Sequence, residues 1–200
     1  LHSINQRINK LNEIENMKKE NSNIQSTKIT TEYIMSYEAP LDPPLAIDEG
    51  MMIVNVREGG WVTGPKINGK FIAPGADWLR IMPSGNFRLD VRGLIKTDDD
   101  AYIYPTYNGI IKNTSESLER LTNGERLTYK DIPYFLAAPT FQTSSEKYNW
   151  LNEIQTINKM VEIQFGDKGF VKYDVFLIII KNRIIKDINC IKKLVFNIFF

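Results

Sequence analysis

A regular succession of short strand-like segments between residues 28 and 177 constrains this fold more than any other feature. Roughly nine segments rich in β-branched and aromatic residues recur about every ten residues, a spacing typical of antiparallel sandwiches and barrels. Turn-forming stretches such as "LDPPL", "PSGN" and "GDKG" separate them. The pattern therefore predicts an all-β domain, either an antiparallel sandwich or a barrel.

One or two short helices are expected inside this domain. In "SESLERLTNGE", Ser115 is a suitable N-cap and Gly124 can end the helix. Leu118 and Leu121 would then share one face of it. The stretch "SSEKYNWLNEIQTINK" favours a second short helix or a turn before the last strands.

The two ends of the chain differ in composition from the middle, which predicts a β domain at residues 28–177 between two appendages. Residues 1–27 read as a polar N-terminal extension with a short amphipathic helix. Residues 178–200 read as a basic amphipathic or non-native tail, of a type that can lie on an anionic membrane. A tail that packs on the barrel, or that lies beyond its normal end, is favoured over a membrane role.

Composition disfavours several classes of function. Because 25 basic residues face 24 acidic ones, no global field attracts nucleic acid, and no basic stripe interleaved with aromatics favours it. His2 is the only histidine and Cys190 the only cysteine, which disfavours a histidine base and a zinc site. Nucleotide and dinucleotide fingerprints are missing, so we expect no cofactor and no metal. The N-terminus lacks the apolar stretch of a secretory signal, which predicts a cytoplasmic protein.

The strand "NFRLDVRGLIKT" alternates apolar and charged residues, so its two faces differ in polarity. The alternating sets are Phe87, Leu89 and Val91 against Arg88, Asp90 and Arg92. In an ordinary sandwich the charged face would be solvated, whereas in a small barrel it could line a ligand-binding lumen. The sequence leaves both alternatives open.

The turn "APGADW" places an acid beside an indole. Pro74 and Gly75 predict a tight turn, after which Asp77 and Trp78 face opposite sides of a strand. If Asp77 points inward, burial would raise the pKa of its carboxyl and make it a usable proton shuttle. If it points outward, it would cap its own turn through backbone amides, the commoner use of Asp.

Five motifs of the middle region resemble, in order and spacing, the bacterial and fungal domain-of-unknown-function family 3237. They are "LDPPLAIDEG", "GGWVTGPKINGKFIAPGADW", "LDVRGLIKTDDDAYIY", "YFLAAPTFQT" and "YNWLN". The resemblance implies an antiparallel β-barrel, which we predict to have about eight to nine strands. It implies no established activity. Exposed strands of such barrels could pair, so a homodimer stays open.

The resemblance also implies a cluster of polar and aromatic residues, which we predict to bind a small molecule in the lumen. Its members are Asp77, Trp78, Asp90, Arg92, Thr97, Tyr104, Tyr148, Trp150 and Asn152. The chain departs from the family pattern elsewhere: an aromatic is usual at Gly93 and a glycine at Asp100. An arginine is usual at Leu136 and an acid at Gln142, which implies either a lost internal ion pair and a more apolar pocket, or the loss of whatever function the family has.

Three functions fit these features. The first, which we predict, is binding of a small organic ligand inside the barrel. The second is a cofactor-independent isomerase, cyclase or lyase, with Asp77 or Asp90 as proton shuttle and Tyr104 or Tyr148 as oxyanion donor. The third is an interaction module with a membrane-surface helix at residues 178–200. The sequence leaves open whether the protein is an enzyme.

Overall fold

The computed structural model describes residues 12–13 and 28–181 of the chain. Residues 31–178 form one compact unit. The helices predicted for the two ends lie almost entirely outside the described residues. The elements are β1 (Lys28–Pro40), β2 (Leu45–Asp48), β3 (Met51–Asn55), β4 (Trp61–Thr63), β5 (Gly69–Ile81), β6 (Phe87–Thr97), β7 (Tyr102–Lys112), α1 (Ser115–Thr122), β8 (Leu127–Thr128), β9 (Tyr134–Gln142), a 3-10 helix (Asn149–Glu153), β10 (Thr156–Gln164) and β11 (Phe170–Lys181).

Eight of the strands close into an antiparallel barrel, which confirms the predicted fold class. Around the ring the order is β5–β4–β1–β11–β10–β9–β7–β6, and β6 returns to pair with β5. β2 and β3 form a hairpin that adds to β5 outside the ring, and β8 pairs with β10. Closure pairs every strand of the ring on both sides, which removes the exposed edges that an open sheet presents.

β5 is the strand that positions most of the site, because it bends at a bulge. Its register with β6 shifts between Ile72 and Ala76, so Pro74 lies outside the regular ladder. A Cβ on Gly75 would lie 3.0 Å from the carbonyl oxygen of Arg92, so two backbones approach closely there because this residue is glycine. The bulge lets the first half of β5 pair with β4 and the second half with β3.

A cluster of aromatic side chains lies among the aliphatic residues of the barrel interior. Tyr173 on β11 packs against Tyr37 at 5.4 Å between ring centroids, and Phe135 meets Tyr173 edge-on at 5.6 Å. Phe71 stacks on Tyr37 at 5.0 Å. All four rings are buried. The interior is therefore a packed apolar core with little free space, and not an open lumen.

Two departures from the family pattern have local structural reasons. Gly93 faces inward on β6, and a Cβ there would lie 2.4 Å from Cζ of Phe71. Phe71 thus occupies space that a side chain at position 93 would need. Asp100 adopts a φ of +65°, a conformation that glycine takes easily and that Asp tolerates better than most residues.

Two short helical segments form where they were predicted, with one change of cap. Thr114, and not Ser115, caps α1: its Oγ1 accepts from the Ser117 N–H at 3.0 Å, and its N–H donates to Ser117 Oγ at 2.9 Å. This reciprocal pair is a capping box. Gly124 follows the helix with a φ of +74°, as expected for a residue that ends it.

Candidate functional site

A narrow cavity remains inside the barrel, lined mainly by aliphatic and aromatic side chains. Its free volume is about 40 Å³. That volume holds one or a few water molecules, so a larger guest requires side chains to move. The polar lining groups are one carboxyl and two phenols, from Asp77, Tyr107 and Tyr173.

Asp77 is the one charged side chain among the lining residues. Alternation along β5 turns Asp77 and Leu79 inward and Trp78 outward. Its Oδ1 accepts a hydrogen bond from the backbone N–H of Asp90 at 2.9 Å. Burial raises the pKa of Asp77 from 3.8 to about 7; the hydrogen bond opposes this rise, and the nearby Asp90 carboxylate adds to it. At neutral pH the Asp77 carboxyl can therefore both give and take a proton.

The phenols belong to a hydrogen-bonded chain that crosses the interior. Asn158 Nδ2 donates to Tyr37 Oη at 2.6 Å, and Tyr37 Oη donates to Tyr107 Oη at 3.4 Å. This direction of donation leaves the Tyr107 hydroxyl hydrogen available to the cavity. Burial raises the pKa of Tyr37, Tyr107 and Tyr173, so all three phenols stay protonated at physiological pH.

Two polar atoms of this cluster have unused hydrogen-bonding capacity. Asn158 Oδ1 is buried and finds no partner among the described residues. The Tyr173 hydroxyl likewise makes no hydrogen bond within the part of the chain that the structure describes, although Tyr173 lines the cavity. Most buried polar atoms in proteins are paired, so a guest or ordered water would complete this cluster.

This arrangement suits proton transfer or the binding of an oxygen-bearing guest. A carboxyl whose pKa lies near 7 is matched to general acid–base work at neutral pH. Neutral O–H donors in apolar surroundings can stabilise a carbonyl oxygen as negative charge develops on it. Both kinds of group lie on one cavity, where Asp77 is the acid–base group and Tyr107 and Tyr173 are the donors.

The structure brings together only part of the predicted cluster. Asp77 lines the cavity, but Trp78, Asp90 and Arg92 lie on the outer wall, so the prediction that they share the lumen is wrong. The reason is alternation, because even-numbered positions of β5 and β6 face outward here. Arg92 connects the other two: its Nη1 donates to Asp90 Oδ1 at 3.1 Å, and its guanidinium lies 5.1 Å from the Trp78 ring.

Thr97 and Tyr148 meet at the turn after β6, away from the cavity. Thr97 Oγ1 donates to Asp99 Oδ1 at 2.6 Å, and Tyr148 Oη donates to the same oxygen at 2.8 Å. Lys147 Nζ reaches the other oxygen of Asp99 at 2.6 Å. These contacts, that of Lys147 first, hold the pKa of Asp99 well below its usual range. The cluster ties the β6–β7 turn to the segment before the 3-10 helix, and this structural role accounts for Thr97 and Tyr148 without a ligand.

The remaining predicted residues are dispersed. Tyr104 is exposed beside Trp78 on the outer wall. Trp150 is half-buried with Lys66 Nζ 5.4 Å from its ring. Asn152 holds a loop, donating to the Thr143 carbonyl and accepting from its N–H, both at 2.9 Å. None of the three touches the cavity.

The expected loss of an internal ion pair is also corrected. Leu136 borders a groove on the outer wall, and Gln142 is exposed on the same strand. An arginine and an acid at these positions would have faced outward, since residues 136 and 142 share the outer face of β9. The substitution therefore makes the outer surface more apolar and does not change the interior.

Sequence reasoning missed Tyr37, Tyr107, Tyr173 and Asn158. Strand alternation could have found Tyr107, because it lies on the same face of β7 as the buried Ile103 and Ile111. Tyr102 and Tyr104 lie on the opposite face and are exposed. Asn158 carried no comparable signal, because a lone polar residue in a strand does not reveal its partner. Its partner Tyr37 lies 121 positions away in the chain.

The described residues offer neither a metal-binding cluster nor a membrane-spanning helix. Residues 12–13 and 28–181 contain no group of three or more His, Cys, Asp or Glu side chains arranged to hold a metal ion. The helices in the same ranges are all too short or too polar to cross a membrane.

Fold and site together define a small eight-stranded antiparallel β-barrel whose apolar interior cavity is lined by one carboxyl. The chain belongs to the family described as "Protein of unknown function (DUF3237)", whose model matches residues 29–178. It is 33% identical over 127 residues to a UPF0311 protein of Clostridium acetobutylicum. The matched region covers 58% of this chain and 80% of that protein.

Solved structures of similar proteins share the barrel. A conserved protein of unknown function from Rhodopseudomonas palustris is 26% identical with a TM-score of 0.69, over 76% of this chain and 98% of the other. A β-barrel like protein from Acinetobacter baumannii is 26% identical with a TM-score of 0.61, over 76% and 97%.

Proposed function

We propose that the barrel interior binds a small organic molecule that carries an oxygen atom, with Asp77, Tyr107 and Tyr173 as its polar contacts. The observation that carries the proposal is the Asp77 carboxyl, which faces an otherwise apolar cavity. A purely structural core position would favour an apolar side chain, because a buried carboxyl with one hydrogen bond is costly. The free hydroxyl hydrogens and the unpaired Asn158 Oδ1 add to the argument.

The cavity limits the class of guest. About 40 Å³ is far below the roughly 300–1,000 Å³ of ordinary ligand pockets. The guest is therefore a flat molecule of few heavy atoms, or it enters as lining side chains move. Its body is apolar, since aliphatic and aromatic groups form most of the wall, and its oxygen accepts from the phenols.

Acid–base catalysis is the second candidate, supported by the Asp77 pKa of about 7. In such a reaction the Asp77 carboxylate takes a proton from the carbon beside a carbonyl group. Tyr107 and Tyr173 donate hydrogen bonds to the enolate oxygen, and the Asp77 carboxylic acid returns the proton to a different carbon. The result is an isomerisation that needs no other reactant. Tyr104 and Tyr148, the donors expected from sequence, lie outside the cavity.

The other predicted contacts are not part of this proposal. Thr97, Tyr148, Trp150 and Asn152 have structural partners away from the cavity. A homodimer, a cytoplasmic location and a membrane-surface helix at residues 178–200 stay predictions.

Binding can be tested with 2-cyclohexenone, a small ketone, by following backbone amide shifts in NMR. We expect shifts at β5, β7 and β11 that weaken in Asp77→Asn and in the Tyr107→Phe/Tyr173→Phe double variant. Asp90→Asn is the matched control, because it removes a carboxyl from the outer wall of the adjacent strand. Shifts confined to the outer wall, or an equal response in all variants, would contradict binding in the interior.

Catalysis is tested in the same samples by transferring them to D2O. If Asp77 acts as a base, the protein accelerates exchange of the ketone's acidic C–H hydrogens, and the rate rises as the pH passes about 7. Asp77→Asn should return exchange to the buffer rate, whereas Asp90→Asn should not. Binding without exchange would leave the first candidate in place and reject the second.

A further inference from the structure

Two arginines face each other on the outer wall of the barrel. Arg80 on β5 and Arg88 on β6 are directly paired in the antiparallel ladder. Both side chains point outward and both are exposed. Like charges directly opposite each other on a sheet are unfavourable, so this pair needs an explanation beyond the fold.

The pair is also unusual in having no acidic partner. Six arginines lie within the described residues, and four of them form ion pairs: Arg57 with Asp42, Arg92 with Asp90, Arg120 with Asp131, and Arg126 with Glu162. Arg80 and Arg88 form none with any residue in the same ranges. The two arginines without an acid are therefore also the two that are adjacent.

An apolar groove adjoins the arginine pair. The groove runs over the outer faces of β5, β6, β7 and β9 and has a volume of about 750 Å³. Arg80 and Arg88 are among the residues that line it. Asp90 and Asn108 also line it, and its apolar side chains are those of Trp78, Met82, Ile110, Tyr134 and Leu136. This volume is within the range of small-molecule sites, unlike that of the interior cavity.

The acid that borders the groove is already neutralised. Asp90 bonds Arg92 at 3.1 Å, and Arg92 in turn lies over the Trp78 ring at 5.1 Å. The carboxylate, guanidinium and indole thus hold one another in place at one side of the groove. Arg80 and Arg88 remain as two uncompensated positive charges beside an apolar surface.

We propose that this groove is a second ligand site, which binds an organic carboxylate with a flat apolar body. Guanidinium groups match the two oxygens of a carboxylate, and an anion between Arg80 and Arg88 would relieve their repulsion. The apolar body lies against Trp78, Tyr134 and Leu136, where aromatic and aliphatic side chains offer it contact area. The site is separate from the interior cavity and does not depend on the function proposed for it.

The test uses 1-naphthoate as the probe and 1-naphthamide as its uncharged counterpart, with binding to the whole chain measured by calorimetry. We expect naphthoate to bind more tightly than naphthamide, and its affinity to fall as salt is raised. Arg80→Gln/Arg88→Gln should weaken naphthoate binding by about tenfold or more, since charge-assisted hydrogen bonds are lost. The same variant should leave naphthamide binding unchanged.

Control variants separate this site from general charge and from the interior. Lys70→Gln/Lys168→Gln removes two exposed positive charges away from the groove and should bind naphthoate as the wild type does. Asp77→Asn should also leave naphthoate binding unchanged. Equal binding of the two probes, or equal loss in both double variants, would overturn the proposal.

Two further outcomes would also overturn it. Loss of naphthoate binding in Asp77→Asn but not in the arginine variant would place the anion in the interior. A wild-type dimer in sedimentation velocity that dissociates in the arginine variant, without naphthoate binding, would make the groove a contact between two copies of the chain.

Discussion

The inner and outer faces of β5 and β6 are built from alternate residues of the same strands, and each carries a charge arrangement that opposes folding. Inside, Asp77 holds a carboxyl in an apolar cavity. Outside, Arg80 is paired with Arg88. Ionised Asp77 reduces the free energy of unfolding by about 4 kcal/mol, because folding raises its pKa from 3.8 to about 7. The repulsion between Arg80 and Arg88 costs only about 0.2–1 kcal/mol, because water and salt screen exposed charges.

The difference teaches that the same two strands can hold two sites with very different demands on stability. Ionising an interior carboxyl costs several kcal/mol of folding free energy, which the rest of the fold must offset. Two exposed arginines without an acidic partner cost much less, because water screens their repulsion. Four substitutions, in order of expected effect, test whether the two faces differ in this way.

Phe71→Ala should have the largest effect, destabilising the protein by about 3–5 kcal/mol because it leaves a cavity in the aromatic core. Leu136→Ala on the outer wall is the counterpart and should cost about 1 kcal/mol or less. Urea unfolding followed by tryptophan fluorescence measures both. Similar losses in the two variants would mean that the outer groove is packed as tightly as the interior.

Asp77→Asn tests the charge on the inner face through pH. Between about pH 4 and 7 the folded protein keeps the Asp77 proton that the unfolded chain has lost, so the stability that this group contributes falls progressively over this range and levels off above about pH 7. Asp77→Asn has no such proton to lose. We expect equal stability of the two proteins near pH 4 and an advantage for the variant of up to about 4 kcal/mol at pH 8.

Urea unfolding across this pH range gives the measurement, with Asp90→Asn as the outer-wall control. The control keeps the backbone N–H that bonds Asp77 and loses a carboxylate that contributes least to the raised pKa, so it should show the same fall with pH, slightly reduced. Parallel curves for wild type and Asp77→Asn would show that the Asp77 carboxyl is solvated.

Gly93→Ala probes how tightly the inner face is filled. A Cβ at this position meets Phe71 at 2.4 Å, so overpacking should destabilise the protein by about 1–3 kcal/mol. Adding Phe71→Leu should make the Gly93→Ala change less costly than it is in the wild type, which a double-mutant cycle measures. Additive effects would place the clash elsewhere.

Arg88→Gln should have the smallest effect and, unlike Phe71→Ala and Gly93→Ala, should stabilise the protein. Removing one member of the facing arginine pair should stabilise the barrel by about 0.2–1 kcal/mol at low salt, and by less at high salt. Arg92→Gln is the matched control and should not stabilise it, because Arg92 has an acidic partner. Destabilisation by Arg88→Gln would show that the arginines support the fold.

Much of the fold could be predicted because its signals are local. Turn residues and alternating polarity marked the strands, and Gly124 ended α1 as expected. Strand boundaries were less predictable: the strand-like segment "MMIVNVREGGWVTG" is divided into β3 and β4, and the segments "INGKFIA" and "ADWLRIM" join as β5. These boundaries differ because partner strands, and not local propensity, decide where a strand ends.

By itself, the sequence determined a strand-rich domain and the two-sided character of its strands, since alternation and turn chemistry act between near neighbours. Only the tertiary structure decided that Asp77 faces inward, that Tyr37 bonds Asn158, and that Arg80 lies opposite Arg88. Closure of the barrel fixes which face is enclosed, and the register across β5 and β6 fixes which residues meet. Both depend on pairing between segments distant in the chain, which no local pattern specifies.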